Sequence, residues 1–133
     1  MSLQNNKTIL LYGFDKNGDK IIKNIGKEFN IHDFKIIKDN MMGLKIKDIL
    51  EGSLGGQLEE QDKSYSLDEK VILFNCLTDK QMSGVMKELK VKMDNMPILA
   101  VVTKTSRNWN FKYLLSHLLQ ERAWFKKNNR DFN

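Results

Sequence analysis

A run of hydroxyl, amide and cationic side chains is the segment whose residue types could bind a ligand. These residues are Thr103, Lys104, Thr105, Ser106, Arg107 and Asn108. The run lies between an apolar stretch and a helical pattern, so its donors and two cations could hold a phosphate or a carboxylate. The alternative is helix capping, with Asn110 as N-cap and with Trp109 and Leu114 at the spacing of a hydrophobic staple. Capping is favoured, because no glycine-rich loop lets a ligand approach the backbone.

The other reactive side chains form no recognisable catalytic set. Cys76 follows an apolar strand, where a thiol could reach a ligand, but the topology predicted below places neither His32 nor His117 beside it. A small buried cysteine is the favoured interpretation. Two isolated histidines do not indicate a metal site. We therefore predict no catalytic residue, no metal and no cofactor.

Two β-α-β-α patterns position these candidates. Strands are predicted at Thr8–Tyr12, Phe34–Lys38, Val71–Phe74 and Ile98–Val102. The third helix begins at Thr78, because Thr78 and Gln81 have the residue types and spacing of a capping box. The second helix ends at Gly52, a residue typical of helix C-termini. Three apolar residues of the third helix, Met82, Met86 and Leu89, are expected to face the sheet rather than to form a binding surface.

The two patterns correspond to each other in order and nearly in register. The first strands align at an offset of 63 residues, and the second strands and second helices align at an offset of 65. We therefore predict a tandem duplication within a single domain, residues 1–133. Its parts are a first half at 4–52, a linker or mobile loop at 53–69, a second half at 70–125 and a basic tail at 126–133.

The predicted fold is α/β, with a four-stranded, mainly parallel sheet in the order 2-1-3-4. Right-handed crossovers make the strands of each half parallel, and a doubly wound sheet binds ligands where the strand order reverses. That reasoning predicts a crevice at the carboxyl ends of the first and third strands, lined by Tyr12, Gly13, Asp15, Asn75, Cys76 and Thr78. The alternative is a ferredoxin-like α+β arrangement with some strands antiparallel.

The second half resembles a family of short bacterial and archaeal domains known only as a domain of unknown function, number three-seven-eight-three. The matching segments are Val71–Phe74 with Leu77-Thr78, Ala100–Thr103, and Asn108-Trp109 leading into Leu114-Leu115 and Glu121-Arg122. These are mostly core positions and turn residues. The resemblance implies a bacterial or archaeal source and brings no activity with it.

Composition excludes several classes of protein. With 41% hydrophobic and 29% charged residues the chain is globular, and no apolar run is long enough to span a bilayer. A single cysteine and the absence of a signal segment predict a cytoplasmic protein. The net charge is +5, but the lysines and arginines are scattered along the chain among acidic residues. Nucleic-acid binding, which would use the basic tail, is therefore disfavoured.

The favoured function is therefore a non-catalytic module that binds a partner protein or a small anionic ligand in regulation. An enzyme acting with Cys76 or Asp15 at the crevice is the alternative. The apolar run Ile98–Val102 is an uncharged edge strand, whereas the other edge carries Lys35 and Lys38. An uncharged edge needs a cover, which the 52–68 connection, the segment around Trp124-Phe125 or a second copy could supply. We favour a homodimer that pairs through Ile98–Val102.

Overall fold

The computed structural model describes residues 7–52 and 69–129. The strands are β1 (Thr8–Tyr12), β2 (Asp33–Ile37), β3 (Val71–Asn75) and β4 (Ile98–Val101), and the helices are α1 (Lys16–Glu28), α2 (Ile46–Glu51), α3 (Asp79–Lys92) and α4 (Phe111–Asn129). Short 3-10 helices at Asp39–Met41 and Ser106–Asn108 precede α2 and α4. Most of the predicted linker, 53–69, and the end of the predicted tail, 126–133, lie outside the described residues.

The four strands form one sheet in the order β2-β1-β3-β4, as predicted. Within each half the two strands are parallel. The central pair, β1 with β3, is antiparallel, so the sheet is mixed and the prediction of a mainly parallel, doubly wound sheet is wrong. The antiparallel pair is a feature that the α+β alternative allowed.

The antiparallel direction of the central pair explains why α1 and α3 lie on the same face of the sheet. A right-handed crossover fixes the parallel pairing inside each half, but it does not fix the direction in which one half approaches the other. With β1 and β3 antiparallel, crossovers of the same hand bring α1 and α3 to the same face of the sheet. These two helices do contact each other there, and both pack against one apolar cluster.

Two apolar layers result, one on each face of the sheet. The unbroken apolar character of β1 and β3 predicts strands covered on both faces, and every residue of both strands is buried. Ile9 and Phe74 pack with α1 and α3, whereas Leu10 and Leu73 pack with α2 and α4. Among the described residues, no helix is both long enough and apolar enough to cross a bilayer.

Two contacts between the halves join residues that are separated by the offsets of 63 and 65. Leu10 lies opposite Leu73 across the β1–β3 pair, and these residues are 63 positions apart. Lys45 forms an antiparallel bridge with Asn110, 65 positions later. Two hydrogen bonds flank that bridge, from the Ile46 N–H to the Trp109 carbonyl (2.9 Å) and from the Phe111 N–H to the Leu44 carbonyl (3.0 Å). The offset of 63 holds only at the Leu10–Leu73 position of the β1–β3 pair, because the separation between opposed residues changes by two at each step along antiparallel strands. The duplication inferred from the two offsets stays a prediction.

Side chains cap the helices where the sequence indicates. The Thr78 hydroxyl accepts the Gln81 N–H (3.1 Å) and the Gln81 side-chain oxygen accepts the Thr78 N–H (3.0 Å), which confirms the capping box. The Gln81 amide also donates to the Phe29 carbonyl at the end of α1 (2.8 Å). Gly52 ends α2 in the left-handed conformation, as predicted.

Thr78→Ala is expected to lower the free energy of unfolding by about 1 kcal/mol, because it removes the acceptor for one N–H at the start of α3. Urea unfolding followed by circular dichroism measures this loss. Thr105→Ala is the matched control, since Thr105 makes no side-chain capping hydrogen bond to its 3-10 helix. Equal losses in the two variants would show that the cap contributes nothing specific.

Candidate anion-binding site

The predicted crevice at the carboxyl ends of β1 and β3 does not form. Tyr12, the last residue of β1, lies opposite Val71, the first residue of β3, and Thr8 lies opposite Asn75. Antiparallel pairing thus places the two carboxyl ends at opposite ends of the sheet. The structure therefore separates Tyr12, Gly13 and Asp15 from Asn75, Cys76 and Thr78.

The residues of the first group have structural contacts. The Tyr12 hydroxyl donates to an Asp39 carboxylate oxygen (2.7 Å), and the Asp15 carboxylate caps α1 by accepting the Gly18 N–H (2.7 Å). Gly13 has a φ of +88°, and a Cβ at this position would overlap the Glu69 carbonyl. Gly13 therefore allows the end of β1 to lie against the backbone that leads into β3.

The second group is also structural, with one difference from expectation. Asn75 is buried and Thr78 caps α3. Cys76 is exposed and has a φ of +62°, so the prediction of a buried cysteine is wrong. Cys76 follows β3 as Gly13 follows β1, 63 positions earlier, and both turns need a positive φ. Among the described residues, no group of three or more His, Cys, Asp or Glu side chains could hold a metal ion.

In the Thr103–Asn108 segment the Thr103 and Ser106 hydroxyls bond within the segment, and Thr105 is exposed. The Thr103 N–H donates to the Ser106 hydroxyl (2.9 Å), and the Ser106 N–H donates to the Thr103 hydroxyl (3.0 Å). The Arg107 N–H donates to the Thr103 carbonyl (3.0 Å). At the start of α4 the Asn110 side chain accepts the Tyr113 N–H (2.7 Å), which confirms its capping role. These bonds leave few backbone donors for a ligand, so the side chains are the candidate binding groups.

Lys104, Arg107 and Asn108 instead form part of the wall of a polar cavity of about 240 Å³, and Lys47 of α2 forms another part. The Asn108 amide donates to the Lys104 carbonyl (3.2 Å), which holds these two residues together. In the described part of the chain, none of the three cations forms an ion pair, and none of the four lining residues is a carboxylate. The arrangement suits a small anion.

Lys47 is the part of this site that the sequence did not indicate. It follows Ile46, whose N–H bonds the Trp109 carbonyl, and this contact brings α2 beside the second 3-10 helix. A lysine on a short amphipathic helix is typical of a solvated face. No spacing in the sequence connects it to residues about sixty positions away, so only the tertiary contact identifies it.

A comparison with family models bears on half of this architecture. Residues 70–125 match the model of a domain of unknown function (DUF3783). The second half of the chain resembles that family, as its sequence predicted. The match spans β3, α3, β4 and most of α4 and includes Lys104, Arg107 and Asn108, whereas Lys47 lies outside it. Searches of curated proteins and of solved structures give no match to the chain.

Gly13→Ala is expected to cost about 3 kcal/mol of unfolding free energy, because the new methyl group meets the Glu69 carbonyl and a positive φ is strained for alanine. Gly52→Ala is the matched control. Its φ is +75°, but a Cβ there meets no atom within 4 Å, so we expect only about 1 kcal/mol. Urea unfolding of both variants checks the difference, and equal losses would exclude the close backbone approach at Gly13.

Proposed function

We propose that this protein is a non-catalytic module of the cytoplasm that binds a small anionic ligand and acts in regulation. The site is the cavity lined by Lys47, Lys104, Arg107 and Asn108. The single observation that carries the proposal is the convergence of three cationic side chains on this one polar cavity. The halves that supply them are proposed to be a tandem duplication of bacterial or archaeal origin.

Charge supports the proposal. Three like charges around one space repel one another, and a bound anion removes that repulsion. The arginine adds planar geometry, because its guanidinium group donates two parallel hydrogen bonds to a phosphate or a carboxylate. The Asn108 amide supplies a neutral donor beside the charges. Phosphate and carboxylate ligands therefore match the donors that line the cavity.

The geometry supports the enzyme alternative less well than the anion site. It required Cys76 and Asp15 at one crevice, and the antiparallel central pair places their turns at opposite ends of the sheet. The Asp15 carboxylate also accepts the Gly18 N–H as a helix cap. A general base needs access to the proton that it removes, and in residues 7–52 and 69–129 no hydrogen bond joins this carboxylate to a nucleophile.

Lys104→Ala and Arg107→Ala are each expected to weaken binding of inorganic phosphate or pyrophosphate about fivefold, because each removes a partly exposed charge worth about 1 kcal/mol. Isothermal titration calorimetry at constant ionic strength measures the change. Lys90→Ala is the matched control, since it removes the same charge from an exposed position on α3, on the other face of the sheet. Equal weakening in all three variants would show that binding depends only on the net charge of the protein, and it would contradict a site at this cavity.

A homodimer remains the second proposal, and the outer edge of β4 supports it. No described strand pairs with that edge, and Val101 is 50% exposed. Beside the edge lies a groove of about 280 Å³ between β4 and α3, whose wall includes Met82, Met86 and Leu99. A second copy brings the same uncharged strand to this edge, and two such strands pair about a twofold axis.

Val101→Lys is expected to convert the dimer to a monomer in sedimentation equilibrium at micromolar concentration, because it places a charge in the paired edge. Ile36→Lys is the matched control. Ile36 is 40% exposed on β2, the opposite edge, and lies 65 positions before Val101. Leu99 is less suitable for this test, because it packs against the α1–α3 cluster. A monomeric wild type would refute the dimer. A Val101→Lys variant that is folded and still dimeric would show that the interface is not the β4 edge.

A further inference from the structure

Three aromatic rings form a cluster on the exposed side of α4 and the turn before it. The Trp109 ring lies edge-on to Tyr113 (centroids 4.8 Å apart) and to His117 (5.3 Å), and the Tyr113 and His117 rings stack at 6.4 Å. Tyr113 remains 54% exposed although it is a large ring. The proposed anion site does not use this aromatic surface.

The aromatic cluster adjoins the cationic cavity. Trp109 directly follows Asn108, which lines the cavity, and the Trp109 carbonyl accepts the N–H of Ile46 (2.9 Å), the residue before Lys47. The backbone of Trp109 is thus tied to both of these parts of the cavity wall. Tyr113 and His117 continue the cluster along α4, away from the 3-10 helix that carries Arg107.

Charge changes sign along this surface. The three cations lie before α4, the aromatic rings follow, and the Glu121 carboxylate lies 3.5 Å from the His117 ring nitrogen at the far end. A ligand with an anionic end and a flat, uncharged end therefore has one favoured orientation. Its anion lies in the cavity, away from the Glu121 carboxylate, and its uncharged ring lies against the aromatic cluster.

We propose that the ligand is a nucleotide. Its phosphate binds in the cavity to Lys47, Lys104 and Arg107, and its base stacks on the exposed face of Tyr113. Stacking on an aromatic ring accepts every base, because every base has a π-face. This inference rests on the proposed anion site and adds the chemical class of its ligand. The nucleotide is either free or part of a single strand, and the two sources share the same contacts.

The experiment uses the Trp124→Phe variant of the full chain. The chain has two tryptophans, so this variant leaves Trp109 as the only indole reporter. Inorganic phosphate, AMP, adenosine and an oligodeoxyadenylate of eight residues are titrated at one ionic strength, with tryptophan fluorescence and calorimetry as readouts. The AMP and oligonucleotide titrations are repeated at a second salt concentration. AMP is expected to bind at least tenfold more tightly than either phosphate or adenosine, and to quench the Trp109 fluorescence.

Tyr113→Ala tests the stacking surface. It is expected to weaken AMP binding about fivefold or more and to leave phosphate binding unchanged, because it removes the ring but none of the cations. Tyr113→Phe keeps the ring and is expected to retain AMP affinity. The exposure of Tyr113 makes both variants compatible with the fold, and circular dichroism verifies this.

The outcomes separate the two proposals. The nucleotide proposal would be overturned, and the anion site retained, if AMP and phosphate bound with equal affinity. The same conclusion would follow if Tyr113→Ala weakened the binding of both equally. Absence of binding by phosphate and AMP alike would overturn both. Tighter binding of the oligonucleotide than of AMP, with a steeper salt dependence, would identify a strand as the source, and weaker or equal binding would identify a free nucleotide.

Discussion

The antiparallel pairing of β1 with β3 is the interaction on which the rest of the structure depends. It joins the two halves at the centre of the sheet, where both strands are fully buried, and it places Leu10 opposite Leu73. Because each half contains its own parallel pair, the direction of this one contact decides which helices share a face. It brings α1 and α3 together on one face and α2 and α4 together on the other.

The same pairing determines where a ligand can bind. A parallel central pair would bring the turns after β1 and β3 together, in the manner of a doubly wound sheet. The antiparallel pair separates those turns, and each of them contains a residue with positive φ followed by a helix cap. On the face of the sheet that carries α2 and α4, the start of α2 meets the turn before α4. Two hydrogen bonds beside Lys45 and Asn110 join them. The cationic cavity lies beside that contact.

A bidentate ion pair fastens the start of the second half to α4. The Arg122 guanidinium donates to both Glu69 carboxylate oxygens, at 2.9 and 2.6 Å, and this hydrogen bonding raises the pKa of Arg122 above its ordinary value. Both side chains retain access to water, so such a pair contributes roughly 1 kcal/mol or less. Its effect is mainly geometric, because Glu69 is also the residue whose carbonyl lies against Gly13.

Short-range chemistry in the sequence determined the elements and their ends. The caps at Thr78 and Asn110 and the stop at Gly52 act through atoms within about one helical turn, so residue types and spacing suffice to place them. The burial of β1 and β3, and the strand order, follow from apolar runs and crossover connections. The second half also resembles a domain of unknown function closely enough for residues 70–125 to match that family's model.

Only the tertiary structure decided how the halves are oriented and which side chains converge. The direction of β1 relative to β3 depends on packing between residues about sixty positions apart, and no local preference encodes it. Lys47 joined the candidate site for the same reason, through the contact of α2 with the turn before α4. The exposure of Cys76 could not be predicted either. The apolar run predicts the burial of the residues inside β3, but it does not predict the positive φ of Cys76, the residue after the strand.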